Sequence, residues 1–163
     1  MNGKGDRYRK VNKDYGARFD SIFNRRDLVK IACECARLSS QYVDKGEKRP
    51  LKAIETAEAW LRQGASVDEV KTAALDSLSI ALWERYSAYC ETPAAAYYAA
   101  RTIYAKDPTA SASSAIDSTA FANRDETLKK CAKIAKKYGF ALEMIPDYIC
   151  KDYMKVRLIK EEV

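Results

Sequence analysis

The side chains best suited to recognition chemistry lie between Trp83 and Tyr104, where Trp83, Arg85, Tyr86, Tyr89, Tyr97, Tyr98, Arg101 and Tyr104 straddle Pro93. Tyrosine and tryptophan cover large apolar areas while keeping a polar tip, and arginine adds a planar cation, which is the composition of binding hot spots. Helix packing uses the same residues, so a core edge and a partner surface are both open readings. Tyr97, Tyr98, Arg101, Tyr104, Trp83 and Arg85 form the candidate partner-binding set. A second candidate set, Lys4, Arg7, Arg9, Lys10 and Lys13, is interleaved with Tyr8 and suits phosphate contacts and base stacking. A solvated tail has the same composition.

Catalytic chemistry has little to work with. The chain contains no histidine, so the commonest general base and the usual middle member of a nucleophilic triad are absent. Cys33, Cys35, Cys90, Cys131 and Cys150 show no CxxC spacing. On a helix Cys33 and Cys35 would point about 200° apart and could share neither a ligand nor a bond. Free, largely buried thiols are expected, with no metal and no cofactor. The carboxylate pairs Glu55 with Glu58 and Asp68 with Glu69 fall on solvated faces or at helix starts. Glycine-rich phosphate loops and calcium loops are missing. A non-enzymatic role is the expectation, with a small-molecule binder or enzyme using a groove between alanine-rich helices as one alternative.

These residues need a scaffold, and the composition points to helices. Apolar residues make up 47% and charged residues 32% of the 163, with only six glycines and four prolines to punctuate them. That length suits one domain. The +6 net charge sits at the ends: residues 1–30 hold nine basic and four acidic side chains, and residues 124–163 hold ten and seven. No stretch is long and apolar enough for a membrane span, and the polar, basic start lacks the apolar run of a signal peptide, so a cytoplasmic location is expected.

Helical periodicity begins near Asp27 with Leu28, Ile31, Cys35, Leu38 and Tyr42. A second helix opens at Pro50 with Leu51, Ile54, Ala57 and Leu61 on one stripe beside Trp60, and Gly64 is expected to close it in the left-handed conformation. Ser66-Val67-Asp68-Glu69 is a capping box, followed by an expected buried stripe of Val70, Ala74, Leu75, Leu78, Leu82 and Tyr86. Thr92-Pro93 and Asp107-Pro108 open two helices rich in small side chains, which would pack closely at the centre. Asp125 is expected to cap a sixth, lysine-rich helix that ends at Gly139. Residues 153–159 alternate like a strand, but the sequence shows no partner for it. The predicted fold is all-α: a basic arm over residues 1–24, a bundle of about six helices over 25–140, and a C-terminal segment over 141–163 packed on it.

Two resemblances extend this reading. The opening GKGDRYRKVN, followed by YGARFDSIF, resembles the start of many small bacteriophage proteins. The stretch from Asp27 to Ala122 resembles the all-helical immunity proteins predicted from bacterial polymorphic toxin loci, with Arg49, Pro50, Ala53, Ile54, Ala57 and Trp60 matching their middle helix; histidines associated with the later blocks are absent here. Together they imply a phage-borne, immunity-like protein that binds and inhibits or modulates a bacterial host protein, in an anti-defence role in the host cytoplasm. Nucleic-acid binding by the basic ends is the alternative, and homo-oligomerisation stays open.

Overall fold

The computed structural model of the protein describes residues 22–43, 45–83, 91–121, 123–147, 149–150 and 152–162, with residues 22–24 and 83 described by backbone alone. Helix α1 runs Ile22–Arg37, five residues ahead of the expected start and inside the segment assigned to the arm. Its Leu28, Val29, Ile31, Ala32, Cys33, Cys35 and Ala36 are all buried, which places apolar side chains on nearly every side. Such a helix belongs in the middle of a fold. Accordingly α1 packs against α2 (Arg49–Leu61), α4 (Glu91–Arg101), α5 (Pro108–Thr119) and α6 (Arg124–Lys137). Instead of continuing to Tyr42, the chain tightens into a short 3-10 turn at Ser40–Tyr42, and Tyr42 is exposed.

Helix α2 buries Pro50, Ala53, Ile54 and Ala57 but leaves Leu51 exposed. It closes one residue earlier than expected. Gln63, with φ +62°, takes the left-handed position, while its N–H donates to the Trp60 carbonyl (3.0 Å) and the Gly64 N–H to the Ala59 carbonyl (2.8 Å). This is a Schellman closure in which two carbonyl acceptors offset the strain of a side chain at positive φ. Trp60 is partly buried, with the Arg26 guanidinium 5.6 Å above its ring.

The capping box holds as read. The Glu69 carboxylate accepts the Ser66 N–H at 2.7 Å, the Glu69 N–H donates to Ser66 Oγ at 3.2 Å, and α3 follows at Val67–Trp83. The expected stripe of α3, whose Tyr86 lies outside the described residues, holds at Val70 and Ala74 and fails at Leu75 and Leu82. Its buried face is Val70, Ala73, Ala74, Ser77 and Ile80, whereas Leu75 and Leu82 are 57% and 52% exposed. Small residues win that face because α3 lies close against α2 and α4, and Ser77 Oγ donates to the Pro93 carbonyl at 2.8 Å.

Helix α4 starts at Glu91, so Thr92 lies inside it and its hydroxyl reaches the Ser39 carbonyl (3.3 Å) rather than capping. Thr92, Pro93, Ala95, Ala96, Ala99 and Ala100 are buried where α4 meets α1, α2, α3 and α5. Its C-terminal end is closed from outside: Arg25 of α1 donates to the carbonyls of Ile103 (3.0 Å) and Ala105 (2.9 Å), placing a cation on the negative end of the helix dipole. Asp107 caps α5 as expected, its carboxylate accepting the Ala110 N–H at 2.9 Å. Helix α6 begins at Arg124 with Asn123 at the cap position, so Asp125 sits in its first turn instead.

The all-α expectation needs its main correction at the C-terminal end. Gly139, at φ +77°, turns the chain out of α6 into strand β1 (Phe140–Pro146), which pairs antiparallel with β2 (Met154–Lys160) from Phe140↔Lys160 to Pro146↔Met154. The alternating 153–159 segment therefore has its partner in residues whose own pattern, FALEMIP, alternates poorly. Val156 and Leu158 turn inward from β2 onto α5. Cys33, Cys35 and Cys131 are buried, as expected, and burial raises the Cys33 thiol well above its ordinary pKa. Cys150 is exposed, and Cys90 lies outside the described residues.

Candidate partner-binding groove

Where the hairpin lies beside α5, the two leave a groove of about 590 Å³. Its floor is the small-residue face of α5, with Ala110, Ser113, Ser114 and Ser118, and Tyr98 of α4 closes one side. Small side chains are the local reason for the hollow: they keep α5 slim where the strand crosses it. The Ser113 hydroxyl joins the walls, donating to the Thr109 carbonyl (2.7 Å) and accepting the Leu158 N–H (2.9 Å). Tyr153 and Ile145 supply apolar surface opposite, and Phe121, just past α5, lies on the rim 52% exposed.

One polar cluster braces the groove. Arg124 at the start of α6 donates to the Tyr153 hydroxyl (2.9 Å), to Asp117 of α5 (3.0 Å) and to the Met154 carbonyl, and its guanidinium stacks over the Tyr153 ring at 4.7 Å. A single cation thus ties α5, α6 and β2 together. Burial and the neighbouring Asp117 carboxylate raise the Tyr153 hydroxyl above its ordinary pKa against the opposing pull of Arg124, so it stays a neutral hydroxyl at physiological pH. Lys155 and Arg157, which also line the groove, pair with Asp147 (3.2 Å) and Glu143. The groove thus combines a floor of small residues, an exposed aromatic at its rim and paired charges along its edge. Ser113 is engaged by backbone on both sides, and among the described residues no group of three or more acidic or cysteine side chains lies close enough to hold a metal ion.

The sequence-predicted set divides. Tyr98 lines the groove, and the Tyr97 ring packs against it at a tilt of 57°, with centroids 5.1 Å apart. Tyr97, Arg101 and Tyr104 lie one helical turn apart along the outer side of α4 and the turn after it. Arg101 is exposed and Tyr104 partly buried, with Lys71 Nζ 5.6 Å from the Tyr104 ring. Burial, then the nearby Tyr97, raise the Tyr104 hydroxyl. Trp83 ends α3 with its side chain undescribed, and Arg85 lies outside the described residues, as do Lys4, Arg7, Arg9, Lys10 and Lys13. Phe121, Asp117, Arg124 and Tyr153 were not singled out from the sequence. Their only signal was residue type, because up to 36 positions separate groups that meet here.

Among the described residues no helix is long and apolar enough to cross a membrane. No curated protein and no solved structure matches the chain. A family model described as "Imm-5 like putative immunity protein" matches residues 21–136, from the start of α1 nearly to the end of α6, and leaves the hairpin outside the matched region.

Proposed function

The chain belongs to the Imm-5 like immunity protein family, and from that premise we propose that it binds one protein partner and blocks it by occupancy, using the groove between α5 and the hairpin together with the Tyr97–Arg101 surface beside it. The observation that carries this reading is the groove itself: a floor of small residues, exposed Phe121 at its rim, and a brace at Arg124 that holds both walls in place before any partner arrives. A preorganised surface loses less freedom on binding. Inhibition of this kind needs no catalytic group on the inhibitor. The finer reading, a bacterial host protein blocked in an anti-defence role by a phage-borne chain, rests on the resemblance of the N-terminal stretch.

Capture from nuclease-treated bacterial lysate tests it. The expected result is a stoichiometric protein whose activity falls on binding, with Phe121→Asp and Arg101→Ala each weakening the complex by about 2 kcal/mol or more. Capture that disappears with nuclease treatment, or that ignores both substitutions, would defeat the proposal.

A further inference from the structure

Among the described residues, nothing pairs with the outer edge of β1. The Gly139 carbonyl accepts the Glu161 N–H, and the Asp147 N–H donates to the Tyr153 carbonyl, both at 2.9 Å, with continuous pairing between them. In an antiparallel ladder, residues that bond the neighbouring strand alternate with residues whose N–H and C=O point away. Ala141, Glu143 and Ile145 therefore address β2, while the backbone groups of Phe140, Leu142 and Met144 face outward. The far edge of β2 is already occupied, its Leu158 N–H donating to Ser113 Oγ. No described residue outside the hairpin pairs with the backbone of Phe140, Leu142 or Met144. Nor is the edge blunted: the register runs without a bulge, no lysine interrupts it, and Pro146 comes only at its end.

We propose that this edge pairs with the same edge of a second copy of the chain, joining two hairpins into a four-stranded antiparallel sheet about a twofold axis at Leu142. The argument for a second copy is self-complementarity. With Leu142 opposite Leu142 of the second copy and Phe140 opposite its Met144, every outward N–H and C=O of the three residues is satisfied in both chains. The side chains brought opposite one another are all apolar; Phe140 is already buried and Leu142 partly buried in their own chain, so Met144, 38% exposed, is the one that gains cover. On the other face of the sheet Ala141 falls opposite Glu143 of the second copy, so the symmetry never sets Glu143 against itself, and each Glu143 is already neutralised by Arg157 of its own chain. The three residues whose backbone makes the pairing, Phe140, Leu142 and Met144, do not line the groove.

Sedimentation velocity on the full chain over a concentration series tests this, with amide exchange read at Phe140, Leu142 and Met144. A dimer is expected, with those amides protected as it forms. Ala141→Glu sets like charges opposite each other at two symmetric places and should raise the dimer dissociation constant about tenfold, whereas Ala141→Lys, opposite Glu143, should lower it. Opposite signs at one position cannot come from damage to the fold. Met144→Pro removes an outward N–H without touching the β1–β2 ladder and should shift the protein toward monomer. A protein that stays monomeric throughout overturns the proposal and leaves the edge to a strand of another protein. A dimer indifferent to both Ala141 substitutions overturns it as well.

Discussion

Helices α1 and α3 carry similar leucine-bearing periodic patterns and have opposite fates. In α1 the large aliphatic residues Leu28, Val29 and Ile31 are sealed from solvent, while in α3 Leu75 and Leu82 face outward and Ala73, Ala74 and Ser77 are buried. Position in the bundle makes the difference. Helix α1 has neighbours on several sides and room between them for branched side chains, whereas α3 packs on α2 and α4 at its edge, where alanine sets the spacing. Hydrophobicity alone does not choose the buried face of a helix; the distance at which its neighbours settle does.

Substitutions that probe this contrast differ in size. Ile31→Ala, at a side chain with no exposure, should cost about 2–5 kcal/mol in chemical denaturation through lost burial and the cavity left behind. Ala99→Leu is the complementary test, because α4 has no room for an added side chain at its buried alanine face; overpacking should cost about 1–3 kcal/mol. Tolerance there would mean the alanine-lined contacts are looser than the structure shows. Ser66→Ala should cost about 1 kcal/mol, since α3 then loses the hydroxyl that accepts the Glu69 N–H. Smallest of all, Leu75→Ala and Leu82→Ala should each stay within about 0.5 kcal/mol, and a loss of several kcal/mol at either would show that the outward face of α3 is covered.

A pH experiment sharpens the picture at the other side of α1. Burial works to raise the Glu34 carboxyl, but hydrogen bonds from Lys137 (2.7 Å) and Tyr138 outweigh it and hold the group below its ordinary pKa. A carboxyl depressed in the folded state adds stability above its unfolded value, about 4.3, and loses it as pH falls through the lower folded value. Thermal melts of wild type and Glu34→Gln should differ at neutral pH and converge in acid. A constant difference would mean the tie between α1 and α6 is not electrostatic.

Some of this architecture was legible because it depends on neighbours in sequence. The capping box at Ser66 and Glu69, the Asp107 cap and the turn at Gly139 work within a few residues, so residue type and spacing announce them. The closure at Gln63 was missed by one position because a left-handed glutamine costs little once two carbonyls are satisfied around it. Among the described residues of the groove, only Tyr98 is in the set named from sequence; Phe121, Asp117, Arg124 and Tyr153 have no local pattern to mark them.

What short-range physics controls could be read from residue order: mostly helical structure, the strongest helix caps and, through the Arg49–Trp60 motif, the family, whereas the expectation of buried thiols holds at Cys33, Cys35 and Cys131 and fails at Cys150. The exposure of Leu75 and Leu82 on α3, the partner of the 153–159 strand and the reach of Arg124 to both Asp117 and Tyr153 emerge only once the chain is packed. Those outcomes depend on how closely alanine-lined helices approach and on contacts between residues far apart in the chain. Such distances are properties of the packed whole and are not carried by any single segment.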